Sequence, residues 1–343
     1  MYIDNTQLKN QISTWLGLNF LILSIMIIVG GLTRLTDSGL SITEWELFSG
    51  FLPPLNDSQW LMYFELYKQI PEFKLQNYNM TLDEFKVIFW WEWFHRFLGR
   101  LIGLFFFLPL IYFSIKTRFQ NLIPLYIIFL LICFQGFIGW YMVSSGLVDR
   151  VDVSHFRLSL HLFVAFVILG MVLWNYLKLS NIKLIKQKLN YLLPLLFLFS
   201  VFLQIILGAF VSGMDAGKLY NSWPMMGMSY FPDDNNFIDL ISLSAFSDPS
   251  LVQFMHRNFA YLIFIFYLFM LYQIIVKKLF QFYKIIKILG FVLIIQMLLG
   301  IFTLIYGAQI FIASMHQISS IFLVSVSIYL LFININSNQQ LSN

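Results

Sequence analysis

Cysteine and charge are both scarce in this 343-residue chain, which holds a single cysteine and only 11% charged residues. One cysteine, Cys133, can form neither an internal disulfide nor a cysteine metal site, and its place inside an apolar run reads as packing. The opening MYIDNTQLKNQISTW has little basic charge and no small-residue cleavage site, so neither a signal peptide nor an Arg-rich transit peptide is expected. Acidic residues are missing from three of the connections between apolar runs, and that bears on orientation below.

Hydrophobic residues make up 59% of the chain and aromatic residues 19%, with a mean hydropathy of +0.77. Soluble domains average roughly 45 to 50% apolar, and no soluble core absorbs the excess, so the bilayer must be the solvent for most of this chain. The net charge of +4 does not point to nucleic acid, because the basic residues lie in short loops between apolar runs.

Runs long enough to span, about 20 residues each, fall near Trp15 to Thr33, Trp93 to Ile115, Leu122 to Val143, Arg157 to Leu177, Tyr191 to Ser212, Gln253 to Val276, Ile285 to Tyr306 and Phe311 to Phe332. The fold class expected is an all-α integral membrane protein of eight transmembrane helices. The even-numbered connections carry Lys116 and Arg118, then Lys178, Lys183, Lys186 and Lys188, then Lys277, Lys278, Lys284 and Lys287, with no Asp or Glu. The positive-inside rule makes these loops and both termini cytoplasmic, or matrix-side in an organelle. The long outer connection Arg34 to Trp91 is acidic and rich in Trp and Pro, and is expected to fold over the outer face, with Trp60 to Ile70 along the membrane surface.

The chain repeats itself. Asp37, Gly39 and Trp45 match Asp215, Gly217 and Trp223 at a shift of 178; His95 and Arg96 match His256 and Arg257, and QGFIG at Gln135 matches QMLLG at Gln296, at a shift of 161. Four spans therefore occur twice, which predicts two pseudo-symmetric four-helix bundles, residues 1–180 and 181–343, related by an axis along the membrane normal.

All five histidines, His95, His155, His161, His256 and His316, fall at or just before the outer ends of even-numbered spans. Ionisable residues within spans are functional hypotheses by default, and neutral imidazole is an axial ligand of heme iron. His95 with His161, and His256 with His316, each offer two imidazoles at similar depth that could clamp one heme. Taken singly, each could instead be an interfacial histidine wetted by headgroups or bonded to a neighbouring helix. The shift of 161 sets His155, not His161, opposite His316, and spacing alone does not choose. His161 is preferred because it sits deeper, while Asp149, Arg150 and Asp152 give His155 the surroundings of a solvated surface loop.

One position differs between the halves in a way that matters: Glu92 stands three residues before His95, where Gln253 stands three before His256. On a helix each lies on the histidine's face, so only the first site has a carboxylate able to move a proton or steady positive charge. The alternative is an interfacial Glu92 paired with Arg96 or Arg100. Arg96, Arg100 and Arg257 suit heme propionates, or else snorkel to water. Gly30, Gly31, Thr33, Gly136, Gly139 and Gly208 read as close helix packing rather than a cofactor box.

These residues together resemble the heme A synthase family. The resemblance is carried by GGLTRLTDSGLSITEW (Gly30 to Trp45), EWFHRFLGR (Glu92 to Arg100) and FRLSLHL (Phe156 to Leu162), then by GAFVSGMDAG (Gly208 to Gly217), NSWPMM (Asn221 to Met226), QFMHRNFAY (Gln253 to Tyr261) and MHQ (Met315 to Gln317). It covers nearly the whole chain, and the set in this order is specific. It implies that His256 and His316 bind a heme b, that His95 and His161 bind the substrate heme O, and that Glu92 assists oxidation of the C8 methyl of heme O to the formyl group of heme A, needed by cytochrome oxidase. It also implies a heme O synthase as donor and is compatible with a homo-oligomer. The absence of cysteine between Arg34 and Trp91 matches the branch found in alphaproteobacteria and mitochondria, and a bacterial inner membrane is expected. The rival readings are a di-heme b-type cytochrome carrying electrons between quinol and a partner, and a two-half transporter. The transporter predicts broken spans and charges deep in the bilayer, whereas the ionisable residues here cluster at one face.

Overall fold

The computed structural model describes residues 5–47, 49–148 and 150–337; Phe48, Asp149 and both chain ends lie outside the described residues. Ten α-helices are described: α1 (Thr6–Leu35), α2 (Asp57–Tyr67), α3 (Pro71–Leu75), α4 (Leu82–Lys116), α5 (Ile123–Gly146), α6 (His155–Leu179), α7 (Leu192–Gly213), α8 (Pro249–Val276), α9 (Tyr283–Ile305) and α10 (Ile310–Ile335). All but α2 and α3 are long and apolar enough to cross a membrane, as the hydropathy pattern predicts. Among the described residues there is no strand, only an isolated bridge between Met226 and Ser229.

Three spans begin well before their apolar runs, α1 among them, at Thr6 rather than Trp15. α4 starts at Leu82 rather than Trp93, because Thr81 and Glu84 form a reciprocal capping box and Asp83 and Glu84 put negative charge on the helix N-terminus. α8 starts at Pro249, with the Asp248 side chain capping the Leu251 amide and proline at the first position, where no N–H is needed. His95 and His256 consequently sit inside helices already several turns or two turns old, not at their first residues.

The chain divides by its internal contacts into two compact units, residues 19–168 and residues 5–18 with 169–337. In the first unit the long connection folds as a cap on the start of α4. Trp60, Phe64 and Tyr67 of α2 pack against Phe85 and Phe89, with Leu40, Ile42 and Val153 in the same cluster. Phe85 and Tyr67 are fully buried, and a buried aromatic of this size contributes about 2 kcal/mol. Trp60 to Ile70, expected along the membrane surface, is thus helix α2 and its exit, held to α4 by rings such as Trp60 on Phe89 at 5.0 Å.

In the second unit α10 packs on α9 and α7, and α7 packs on α8. Trp174 of α6 meets Phe332 edge-on, and Ser13 of α1 lies 3.5 Å from Ser180. The exits of α1 and α7 share one device. Asp37 (φ 48°) and Asp215 (φ 52°) both turn the chain in the left-handed region, which aspartate tolerates better than most residues. Each aspartate pairs with a nearby cation, Arg34 at 2.6 Å and Lys218 at 3.0 Å.

Candidate functional site

Residues 19–168 bring His95 of α4 and His161 of α6 together, with ring centroids 6.5 Å apart and planes at 62°. Each ring rests on a glycine of the preceding span. A Cβ on Gly30 would meet His95 Cε1 at 3.0 Å, and one on Gly139 would meet His161 Cε1 at 3.1 Å. Gln135 Nε2 donates to the His161 carbonyl at 2.9 Å. The Nδ1 atoms of both rings are buried without a hydrogen-bond partner. His155, by contrast, is the first residue of α6, half-buried, with its ring 4.2 Å from that of Phe156.

Glu92 lies one turn before His95 on the same helix and is 2% exposed. Its Oε2 accepts hydrogen bonds from Ser41 Oγ (2.7 Å) and the Ile42 amide (2.8 Å), and its Oε1 from Arg96 Nε (3.0 Å) and Nη2 (2.6 Å). The carboxylate is therefore saturated with donors, and it ties the cap to α4. Arg96 also donates to the carbonyls of Ile42 (2.7 Å) and Glu44 (3.0 Å), and Arg100 to those of Leu47 (3.0 Å) and Glu46 (2.6 Å). Arg96 stacks over Trp45 and Arg100 over Phe51, each 5.5 Å from the ring centre.

The second unit holds His256 of α8 and His316 of α10. The glycine contacts recur: a Cβ on Gly208 would meet His256 Cε1 at 3.0 Å, and one on Gly300 would meet His316 Cε1 at 2.9 Å. Gln204 Nε2 donates to the His256 carbonyl at 2.9 Å, and His316 Nδ1 is 3.0 Å from the Gln296 carbonyl. The second contact suits an Nδ1–H tautomer, and the ring's Nε2 lies 3.4 Å from Gln296 Nε2. Arg257 donates to the carbonyls of Tyr220 (2.7 Å), Ser222 (3.0 Å) and Met225 (3.3 Å).

The shift of 178 read in the sequence holds atom for atom. Arg96 grips the carbonyls of Ile42 and Glu44, and Arg257 grips those of Tyr220 and Ser222, the residues 178 further on. The equivalence breaks where Glu92 meets Ser41: Gln253 and Leu219 stand in their places, Gln253 Nε2 reaches the Tyr220 carbonyl at 3.3 Å, and its Oε1 is buried without a partner. It breaks again at Gln204, whose counterpart Met26 puts its methyl beside Gly99.

Sequence reasoning passed over Ser41, Gln204 and the loop carbonyls. Ser41 stood inside a quoted motif, and Gln135 and Gln296 marked the repeat without a role. The three arginines, read as propionate holders or snorkelling cations, each donate to at least two backbone oxygens of the loops, and Arg96 also forms the ion pair with Glu92 that the sequence offered as an alternative.

Among the described residues no three His, Cys, Asp or Glu side chains converge, so each donor set is a pair of imidazoles. Paired imidazoles, each seated where one added methyl would collide and three of them (His95, His161 and His256) with an orphaned Nδ1, fit the two axial positions of a heme and not a chelated bare ion.

A family described as cytochrome oxidase assembly protein, COX15-CtaA, matches residues 13–328. The chain is 48% identical to a heme A synthase of Pelagibacter ubique (strain HTCC1062), covering 98% of this chain and 100% of that one. It is 43% identical to a heme A synthase of Rickettsia bellii (strain OSU 85-389), covering 94% and 98%. To that of Rickettsia felis it is 41% identical, covering 95% and 98%.

Proposed function

The chain belongs to the COX15-CtaA family of cytochrome oxidase assembly proteins, and from that premise we propose roles for its two histidine pairs. Its activity is that of a heme A synthase, a membrane oxidoreductase converting heme O to heme A. The half 1–180 is the substrate half, where His95 and His161 hold heme O by its iron while the C8 methyl is oxidised to formyl. The half 181–343 holds a heme b through His256 and His316, which when bound supplies a redox centre able to take up electrons.

The observation that carries this division is the carboxylate: Glu92 sits one turn from His95, and Gln253 holds the same place before His256. Held by Arg96, Ser41 and the Ile42 amide, Glu92 presents a fixed negative charge to the substrate half. Such a charge steadies positive charge that develops as electrons leave the substrate, without reorganisation of the site. The cap buries the start of α4 around Phe85 and Phe89, the second of them one turn before Glu92. A di-heme cytochrome is not favoured, since its function asks for no such asymmetry and the relatives are named heme A synthase.

A heme O synthase is the donor that the substrate's chemistry asks for. The basic loops and the bacterial relatives favour a bacterial inner membrane with cytoplasmic termini. The test is extraction of pigment from the detergent-purified full chain after co-expression with a heme O source, with hemes B, O and A separated by chromatography. Heme B together with O or A is expected, with A falling on replacement of His95. Heme B alone, with heme O available, would overturn the substrate role of the first pair.

A further inference from the structure

We propose that Gly30, Gly139, Gly208 and Gly300 are positioning residues for the four histidines, each the seat on which one imidazole turns to its ligating orientation. This rests on the reading of the two histidine pairs as heme ligands. All four rings approach their glycine through the same atom, Cε1, at 2.9 to 3.1 Å from where a Cβ would stand. The glycines lie on four different helices, α1, α5, α7 and α9, and each is on the span that precedes its histidine's span in the chain.

Glycine is among the poorest helix formers, so four glycines at four matching contacts need a reason specific to those contacts. General close packing of helices is one reason, and it predicts varied neighbours. Gly170 shows that case, since its added Cβ would meet Ile328 Cδ1 at 3.0 Å, the flexible end of an aliphatic side chain. At the histidine seats the neighbour is a flat ring on a helix, tethered through its own Cβ and unable to retreat without turning. A methyl there rotates or displaces the imidazole by a few tenths of an ångström. Alanine at these positions therefore acts on ring orientation, which the electronic structure of a bis-imidazole iron reports directly.

The pairing also explains a choice that spacing leaves open. Gly139 and Gly300 are equivalent at a shift of 161, and Gly300 seats His316 while Gly139 seats His161, although His155 has the matching number. The seat is kept and the loop before α6 absorbs the six added residues.

The experiment uses the full chain in detergent, with heme content and the g-values of the ferric low-spin EPR signal as readouts. Gly208→Ala and Gly300→Ala should shift the heme b g-values or lower its occupancy by at least about tenfold, the lower end of effects at groups that orient a ligand. Gly170→Ala should leave both unchanged. Gly30→Ala and Gly139→Ala should leave the heme b signal intact and lower bound heme O. A second background separates seating from packing: in His256→Gly, free imidazole should restore low-spin heme equally with and without Gly208→Ala, because an untethered ring can slide off the methyl. Equal g-values and full heme in Gly208→Ala and Gly300→Ala, or a Gly208→Ala defect that persists or prevents accumulation in the His256→Gly background, would overturn the seats while leaving the ligand reading standing. An unsubstituted chain without heme B would overturn that reading and the seats with it.

Discussion

Arg96 Nη2 and Glu92 Oε1 lie 2.6 Å apart, an ion pair one helical turn long with 10% and 3% of the two side chains exposed. Removing one partner from such a pair leaves an uncompensated buried charge, which destabilises by about 3 to 5 kcal/mol. The expected outcome for Glu92→Ala is a lower melting temperature with the heme b spectrum retained, and heme A falling relative to heme O by about 100-fold. Glu92→Gln keeps the shape and should lose heme A by a similar factor with a smaller loss of stability. Full heme A production by either variant would end the catalytic assignment.

His256→Ala and His316→Ala should each abolish the heme b absorbance in purified protein. His95→Ala and His161→Ala should keep it and reduce heme A. His155→Ala, altering a half-buried side chain at the first residue of α6, should do neither. A heme b signal that survives His316→Ala and vanishes with His161→Ala would reverse the allotment of the two pairs.

Glu72, on α3 in the cap, is 3% exposed, and burial pushes its carboxyl up to about 8 from an ordinary 4.5. The Tyr67 hydroxyl, 3.2 Å away, pulls the other way, and the charges of Glu92, Asp152 and Asp37 add to the rise. A carboxyl whose folded value is raised binds its proton more tightly in the folded chain. Its contribution is therefore fully present below about pH 4.5 and lost as pH climbs through about 8. Glu72→Gln should flatten that decline and stabilise the cap by a few kcal/mol at alkaline pH. Melting followed by tryptophan fluorescence between pH 5 and pH 9 checks it, and parallel curves for the two proteins would refute it.

Phe85→Ala removes a fully buried ring from the junction of cap and α4 and should destabilise by about 3 to 5 kcal/mol. Thr81→Ala breaks only the capping box, at about 1 kcal/mol. Limited proteolysis within residues 49–80 should accelerate strongly for the first and slightly for the second; equal rates would mean that the cap does not depend on the start of α4.

The eight spans were legible because a bilayer demands long apolar runs and few other structures do. The early starts of α4 and α8 were not, since Leu82 to Trp91 mixes Asp83, Glu84 and Lys86 with aromatics and falls outside any apolar window. Its signal was local instead, in the Thr81 and Glu84 capping pair and the Asp248 and Pro249 pair. The histidines stood out through the repeat. The pairing of Arg96 with Glu92 could be read as an alternative, but the grip of Arg96, Arg100 and Arg257 on the loops could not, because those partners are backbone carbonyls and a carbonyl has no letter in a sequence. Depth along the span favoured His161 over His155 in the sequence, but its contact with Gly139 was not legible, because residue numbers carry no contacts.

That silence of the carbonyl has an evolutionary side. Where an arginine holds a loop by main-chain oxygens, any residue can supply the oxygen, so the held positions are free to drift while the grip persists. Ile42 and Tyr220, or Glu44 and Ser222, share no side-chain chemistry yet are held alike. The two loops could diverge, one accommodating a carboxylate partner in Ser41 and the other not, without either half losing its hold on the helix that bears its first histidine. A duplicated segment built this way can take on a second job while its anchoring stays as it was.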